Sequence, residues 1–164
     1  MTTADTKIDA ATQSGLTAET RRAMLAVIAN SHVDDIARGL ETIQPKVQLT
    51  ELRKPQTGLV MLRGRIGGDG APFNFGEATV TRAAVQLASG EKGFAYVLGR
   101  DVHKARLAAT CDALWQSPAH RAALEQQVLA PLSKALNENR AQARARTAAT
   151  RVDFFTLVRG EDPS

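Results

Sequence analysis

The chain has 164 residues, 43 % of them hydrophobic, only 4 % aromatic, with a formal charge of +4 and a mildly basic pI of about 9.6. No apolar run approaches the roughly 20 residues of a membrane span, the opening MTTADTKIDAATQSG lacks the apolar stretch of a secretory signal, and the single cysteine, Cys111, has no internal disulfide partner. Composition thus excludes a membrane protein, a disulfide scaffold and a wholly disordered chain; it fits a single domain of a reducing, cytoplasmic compartment.

Residues 1–18 are Thr, Ala, Asp, Gln and Ser with almost no apolar pattern and read as a disordered leader, with one domain over 19–164. Thr17 can cap a first helix whose Met24, Leu25 and Ile28 share a stripe. Ser31 is expected to cap a second short helix. Asp34 and Asp35 favour its N-terminal dipole end, Val33, Ile36, Leu40 and Ile43 form its stripe, and Pro45 stops it. The two form a helical hairpin.

From Lys46 the pattern turns to strands. ValGlnLeuThrGluLeuArg reads as the first, LysProGlnThrGly as a turn, and LeuValMetLeuArgGlyArgIle as the second, with Val60, Leu62 and Ile66 opposite Arg63 and Arg65. After the loop at residues 67–72 a long third strand runs to about Leu87. A five-residue loop leads into the fourth, PheAlaTyrValLeuGly. Connections this short permit no crossover helix, so a four-stranded antiparallel meander is predicted.

Asp101 then caps a helix to about Gln116, with Leu107, Cys111, Leu114 and Trp115 inward. Pro118 is placed at the first position of a further helix, and Pro131 should break or kink it. A piece from Leu132 to about Thr150 has strong helix propensity but little apolar stripe beyond Leu136. The end, ArgValAspPhePheThrLeuValArgGly, is extended in character. Its Phe154 and Phe155 either add to the chain's own sheet or pack on another subunit. The class is therefore α+β: a helical hairpin, the meander, C-terminal helices and an extended tail.

No catalytic set is legible. Gly64, Gly67 and Gly70 give a spacing that is neither a dinucleotide fingerprint nor a P-loop, and a strand follows where a helix would be needed. His32, His103 and His120 lack ligand spacing for a metal. His103 and Cys111 sit about 12 Å apart along one helix and cannot form a thiol–imidazole pair. Glu77, Asp101 and Asp112 stand without visible partners.

The arginines are more informative. Arg140, Arg144 and Arg151 share one helical stripe if the helix persists, Arg63, Arg65 and Arg82 lie on strands, and Arg100 precedes a helix. They read either as solvated surface or as contacts to a partner or a phosphate group. The basic pI also admits a nucleic-acid-binding module, which the scarcity of stacking aromatics disfavours.

Several blocks in order resemble the PhnG family, the G subunit of the bacterial carbon–phosphorus lyase system. They are Thr57-Gly-Leu-Val-Met-Leu-Arg-Gly-Arg-Ile-Gly-Gly-Asp-Gly, Phe75-Gly-Glu-Ala-Thr-Val-Thr-Arg-Ala-Ala-Val, Tyr96-Val-Leu-Gly-Arg-Asp, Asp112-Ala-Leu, and Arg151-Val-Asp-Phe-Phe-Thr-Leu-Val-Arg-Gly. The resemblance spans roughly residues 21–160. It implies a subunit of the alpha-D-ribose 1-methylphosphonate 5-triphosphate synthase, which transfers the ribose triphosphate of ATP to methylphosphonate and releases adenine. The implied partners are the H, I and J subunits of a core complex, and functionally the L subunit. Nucleosidase-like chemistry is credited to I, and the iron–sulfur cluster and S-adenosylmethionine to J. This chain would then be a scaffold or activating subunit with no cofactor of its own, while ATP and Mg serve the complex. Alternatively, it lends substrate-binding arginines to a shared site.

Overall fold

The computed structural model describes residues 17–43, 47–67 and 69–150. Helix α1 (Ala18–Asn30) starts where Thr17 Oγ1 accepts the Thr20 N–H at 3.1 Å, as expected of a Thr cap. Helix α2 (Val33–Glu41) follows at once and completes the helical hairpin. Its cap is His32, whose Nδ1 accepts from the Asp34 N–H. The expected cap, Ser31, instead turns its buried hydroxyl back to donate to the Val27 carbonyl at 2.8 Å.

The sheet has three strands, β1 (Leu49–Arg65), β2 (Pro72–Leu87) and β3 (Lys92–Leu98), antiparallel in the order β1-β2-β3. One strand stands where the sequence predicts two, giving three strands and not four: LysProGlnThrGly makes no turn, and one 17-residue strand runs through it. Two circumstances allow this. β1 is an edge strand, and its register shifts between Arg53 and Gln56, around Pro55. A proline there forfeits no ladder hydrogen bond.

Helix α3 (Val102–Gln116) crosses the inner face of the sheet. Asp101 caps it, accepting the Lys104 N–H at 2.8 Å. It is buried on nearly every side because Ala105, Ala108, Ala109 and Ala113 let other backbones come close. A side chain at Gly93 of β3 would stand 2.0 Å from the Ala109 carbonyl oxygen. The core joins this helix to Ile28, Ile36, Val85, Leu87 and Val97.

The next helix starts later than Pro118. Residues 118–120 form a turn, and α4 (Arg121–Leu124) leads through a π-helical segment (Glu125–Leu129) into α5 (Ala130–Ala149). Pro131 therefore does not break the helix. The wider π turn just before it absorbs the missing N–H bond. Leu132 is the last buried residue among those described, and from Asn137 to Ala149 α5 is exposed on all sides, as its thin stripe implies. The leader up to residue 16 and the C-terminal tail, with Arg151, Phe154 and Phe155, lie outside the described residues.

Candidate functional site

The pairing of β2 with β3 ends at Val80↔Leu98, but β1 and β2 stay paired from Leu59↔Thr79 to Arg65↔Pro72. A two-stranded ribbon thus projects past the third strand by about 20 Å, at 3.3–3.4 Å per residue. None of residues 59–65 or 72–77 is buried. Directly opposed residues share a face, so Leu59 and Met61 project on the inner side, and Val60 and Leu62 on the outer side. Both sides carry apolar residues, the inner one beside Arg63, Arg65 and Glu77, and the helices cover neither Leu59 nor Met61, which are well exposed.

Phe75 is the extra residue of a bulge between Leu62↔Gly76 and Arg63↔Asn74. Its ring lies over Gly64, where a Cβ would approach it to 3.2 Å. It also meets Phe73 with ring centroids 6.2 Å apart. The ribbon closes in a compact turn: Gly67 has φ +66°, the Gly70 N–H donates to the Ile66 carbonyl at 3.2 Å, and Arg65 Nη1 donates to the Gly70 carbonyl at 3.3 Å. The Gly70 amide is consumed within the turn, and β2 follows directly. The glycine segment is a hairpin end, as its spacing suggested.

The structure disperses the sequence-predicted arginines. Arg63 and Arg65 extend from the inner side of the ribbon and Arg82 from the opposite face of the sheet. Arg100 lies in the bend before α3, and Arg140 and Arg144 on the exposed part of α5. They do not converge on one anion.

Groups that invited a chemical reading are occupied. Cys111 is fully buried, and burial pushes its thiol up to about 12, far from a nucleophile's range. Asp112, also fully buried, accepts from Arg21 Nε at 2.7 Å, Arg21 Nη2 at 2.6 Å and the Phe94 N–H at 2.8 Å. The carboxylate hydrogen bond raises the Arg21 guanidinium above its ordinary value. This fork ties α1, α3 and β3 together. It was missed in the sequence because Arg21 lies 91 residues away; the available signal was one charge inside an otherwise uncharged run from Leu107 to Trp115. His120 Nδ1 lies 3.2 Å from Ser117 Oγ in the turn before α4.

A cavity of about 720 Å³ opens between α2, β1 and α3. Leu40, Ile43, Val47 and Leu107 line it together with Glu41, His103 and Thr110, and its Arg106 is engaged by Glu51 at 3.0 Å. Among the described residues no three His, Cys, Asp or Glu side chains gather as a metal site, and no helix is long and apolar enough to cross a membrane.

The family model described as phosphonate metabolism protein PhnG matches residues 19–160. A curated relative from Rhizobium meliloti (strain 1021), named alpha-D-ribose 1-methylphosphonate 5-triphosphate synthase subunit PhnG, is 51 % identical over 145 residues, covering 87 % of this chain and 90 % of the relative. The chain belongs to the PhnG family.

Proposed function

We propose that this chain is a non-catalytic, scaffolding or activating subunit of the synthase that transfers the ribose triphosphate moiety of ATP to methylphosphonate with release of adenine. Its partners in this reading are the H, I and J subunits of the carbon–phosphorus lyase core complex, with the L subunit needed for the reaction, all in the cytoplasm. ATP and Mg are used by the complex, the iron–sulfur cluster and S-adenosylmethionine belong to a partner, and this chain holds no cofactor.

The observation that carries the proposal is the projecting ribbon, which holds exposed apolar side chains on both faces outside the chain's own core. A two-stranded ribbon gains independent stability only when a hydrophobic face is packed, and a larger assembly supplies that packing. The occupied states of Cys111 and Asp112 point the same way, since each serves the interior of the fold.

The test is reconstitution. The purified chain should release no adenine from ATP plus methylphosphonate. Synthase assembled from the other subunits should lose adenine release when this chain is omitted and regain it on addition. Adenine release by the isolated chain, abolished by a point substitution within it, would overturn the scaffold reading.

A further inference from the structure

In β3 the alternation of side chains runs opposite to size. Gly93, Ala95 and Val97 face the helices and are buried, whereas Phe94, Tyr96 and Leu98 point away from them. Across the ladder, Arg82 stands opposite Tyr96 and Val80 opposite Leu98. The same face continues over Gly58 and Val60 of β1 to the Phe75 ring. At exposures of 42 % (Phe73), 60 % (Phe75), 47 % (Phe94), 65 % (Tyr96) and 76 % (Leu98), these five side chains present on the order of 500–600 Å² of apolar surface. That matches the largest patch of an ordinary monomer. With the flanking residues it approaches the roughly 800 Å² per partner of a stable interface.

Gly58 on this face has no internal reason to be glycine. It does not have a left-handed φ, and a Cβ on it would meet nothing within 4 Å. Glycine inside a strand weakens it, and close approach of another backbone is one reason to keep it.

We propose that this outer face, centred on Arg82 and Gly58, is the docking surface for a different protein chain that lays a flat apolar surface against it and brings a carboxylate to Arg82. Charge selects the occupant. Arg82 makes no ion pair among the described residues, and the strand residues of this face include no Asp or Glu; Glu51 and Glu77 are opposed to Val85 and Met61 on the inner side. A second copy docking by the same face would bring arginine without a counter-ion. A partner with an acidic residue in an apolar setting satisfies it.

The proposal rests on the subunit reading above and adds its surface. The test co-expresses the H, I and J subunits with equal amounts of parent and variant chain under different tags, then reads the ratio of the two in the purified complex. Gly58→Val should enter the complex at least about tenfold less than parent, while the variant chain alone melts at or above the parent temperature, because valine suits an open strand position. Arg82→Glu should be depleted to a similar degree and Arg82→Lys much less. A Leu98→Cys chain should react with maleimide when free and be protected in the complex; the native Cys111 is buried. If parent and variants enter equally, or Leu98→Cys stays reactive in the complex, the surface is wrong and the subunit reading stands. If the parent itself enters no complex, both fall. A parent homodimer lost on Gly58→Val would give the face to a second copy and overturn the proposal.

Discussion

Removing Arg21 should damage the fold more than removing the charge it serves. The Asp112 carboxylate has no solvent exposure, while the Arg21 side chain is 37 % exposed. Arg21→Ala deletes the two charge-assisted bonds at 2.7 and 2.6 Å and leaves a buried anion with the Phe94 N–H as its strong remaining donor. Breaking a buried pair from one side costs about 3–5 kcal/mol; the partial exposure of Arg21 lets water reach one edge, so the lower end, about 3 kcal/mol, is expected. At about 2–4 °C per kcal/mol for a chain of this size, melting falls by about 6–12 °C. Asp112→Asn keeps the shape and still accepts from Phe94, and the freed guanidinium can turn to solvent, so its cost is about 1.5–3 kcal/mol. The double variant carries no stranded charge and should be more stable than Arg21→Ala alone by about 1 kcal/mol or more. The assay is urea unfolding of the purified chain at low micromolar concentration, followed by fluorescence of the single tryptophan, Trp115, which is 8 % exposed in α3. An Arg21→Ala cost below about 1 kcal/mol, or a double variant as unstable as the sum of the singles, would refute this account.

Gly93→Ala should cost about 3 kcal/mol or prevent folding, because the new methyl meets backbone on two sides, 2.0 Å from the Ala109 oxygen and 2.5 Å from the Ala113 nitrogen; melting within about 2 °C of the parent would show that α3 does not lie so close to β3. Cys111 should be unreactive to maleimide at pH 8 in the folded chain and fully reactive in urea. Because burial raises its thiol from 9.0 to about 12, its stabilising contribution is complete below pH 9 and declines as pH rises toward 12, by up to about 1.4 kcal/mol per pH unit. Parent stability should therefore fall more steeply over that window than that of Cys111→Ala, and parallel curves would contradict the burial.

Local chemistry made the helices legible. Thr17 and Asp101 cap where their side chains can reach the first free N–H groups, and the Ile28, Ile36 and Leu114 periodicities identify core faces. The LysProGlnThrGly segment misled because proline and glycine together ordinarily mark a turn. Here the edge position of β1 and a register shift tolerate the proline, and neither condition is visible without the neighbouring strand. Pro131 misled for a related reason: the π turn that accommodates it packs against α1 and α2, and those contacts are not legible in the residues beside the proline. The dispersal of the arginines was equally hidden, since strand alternation separates Arg63 from Arg82 only once the register is known.

The seven aromatic residues show why composition undersold the outer face. Their scarcity argued against a stacking surface, yet Phe73, Phe75, Phe94 and Tyr96 gather on one side of the sheet, and Trp115 is the single aromatic buried among the described residues. Small side chains fill the inner side instead, because Ala109 and Ala113 of α3 come too close to β3 for anything larger than Gly93. A two-fold alternation in sequence says that two faces exist; it does not say which one the chain itself covers. Judged by bulk, Phe94, Tyr96 and Leu98 would form the core face of β3, and they point the other way. A sheet with helices on one side and its largest apolar residues on the other is two layers of a three-layer arrangement. In a subunit of an assembly, the third layer belongs to a neighbour.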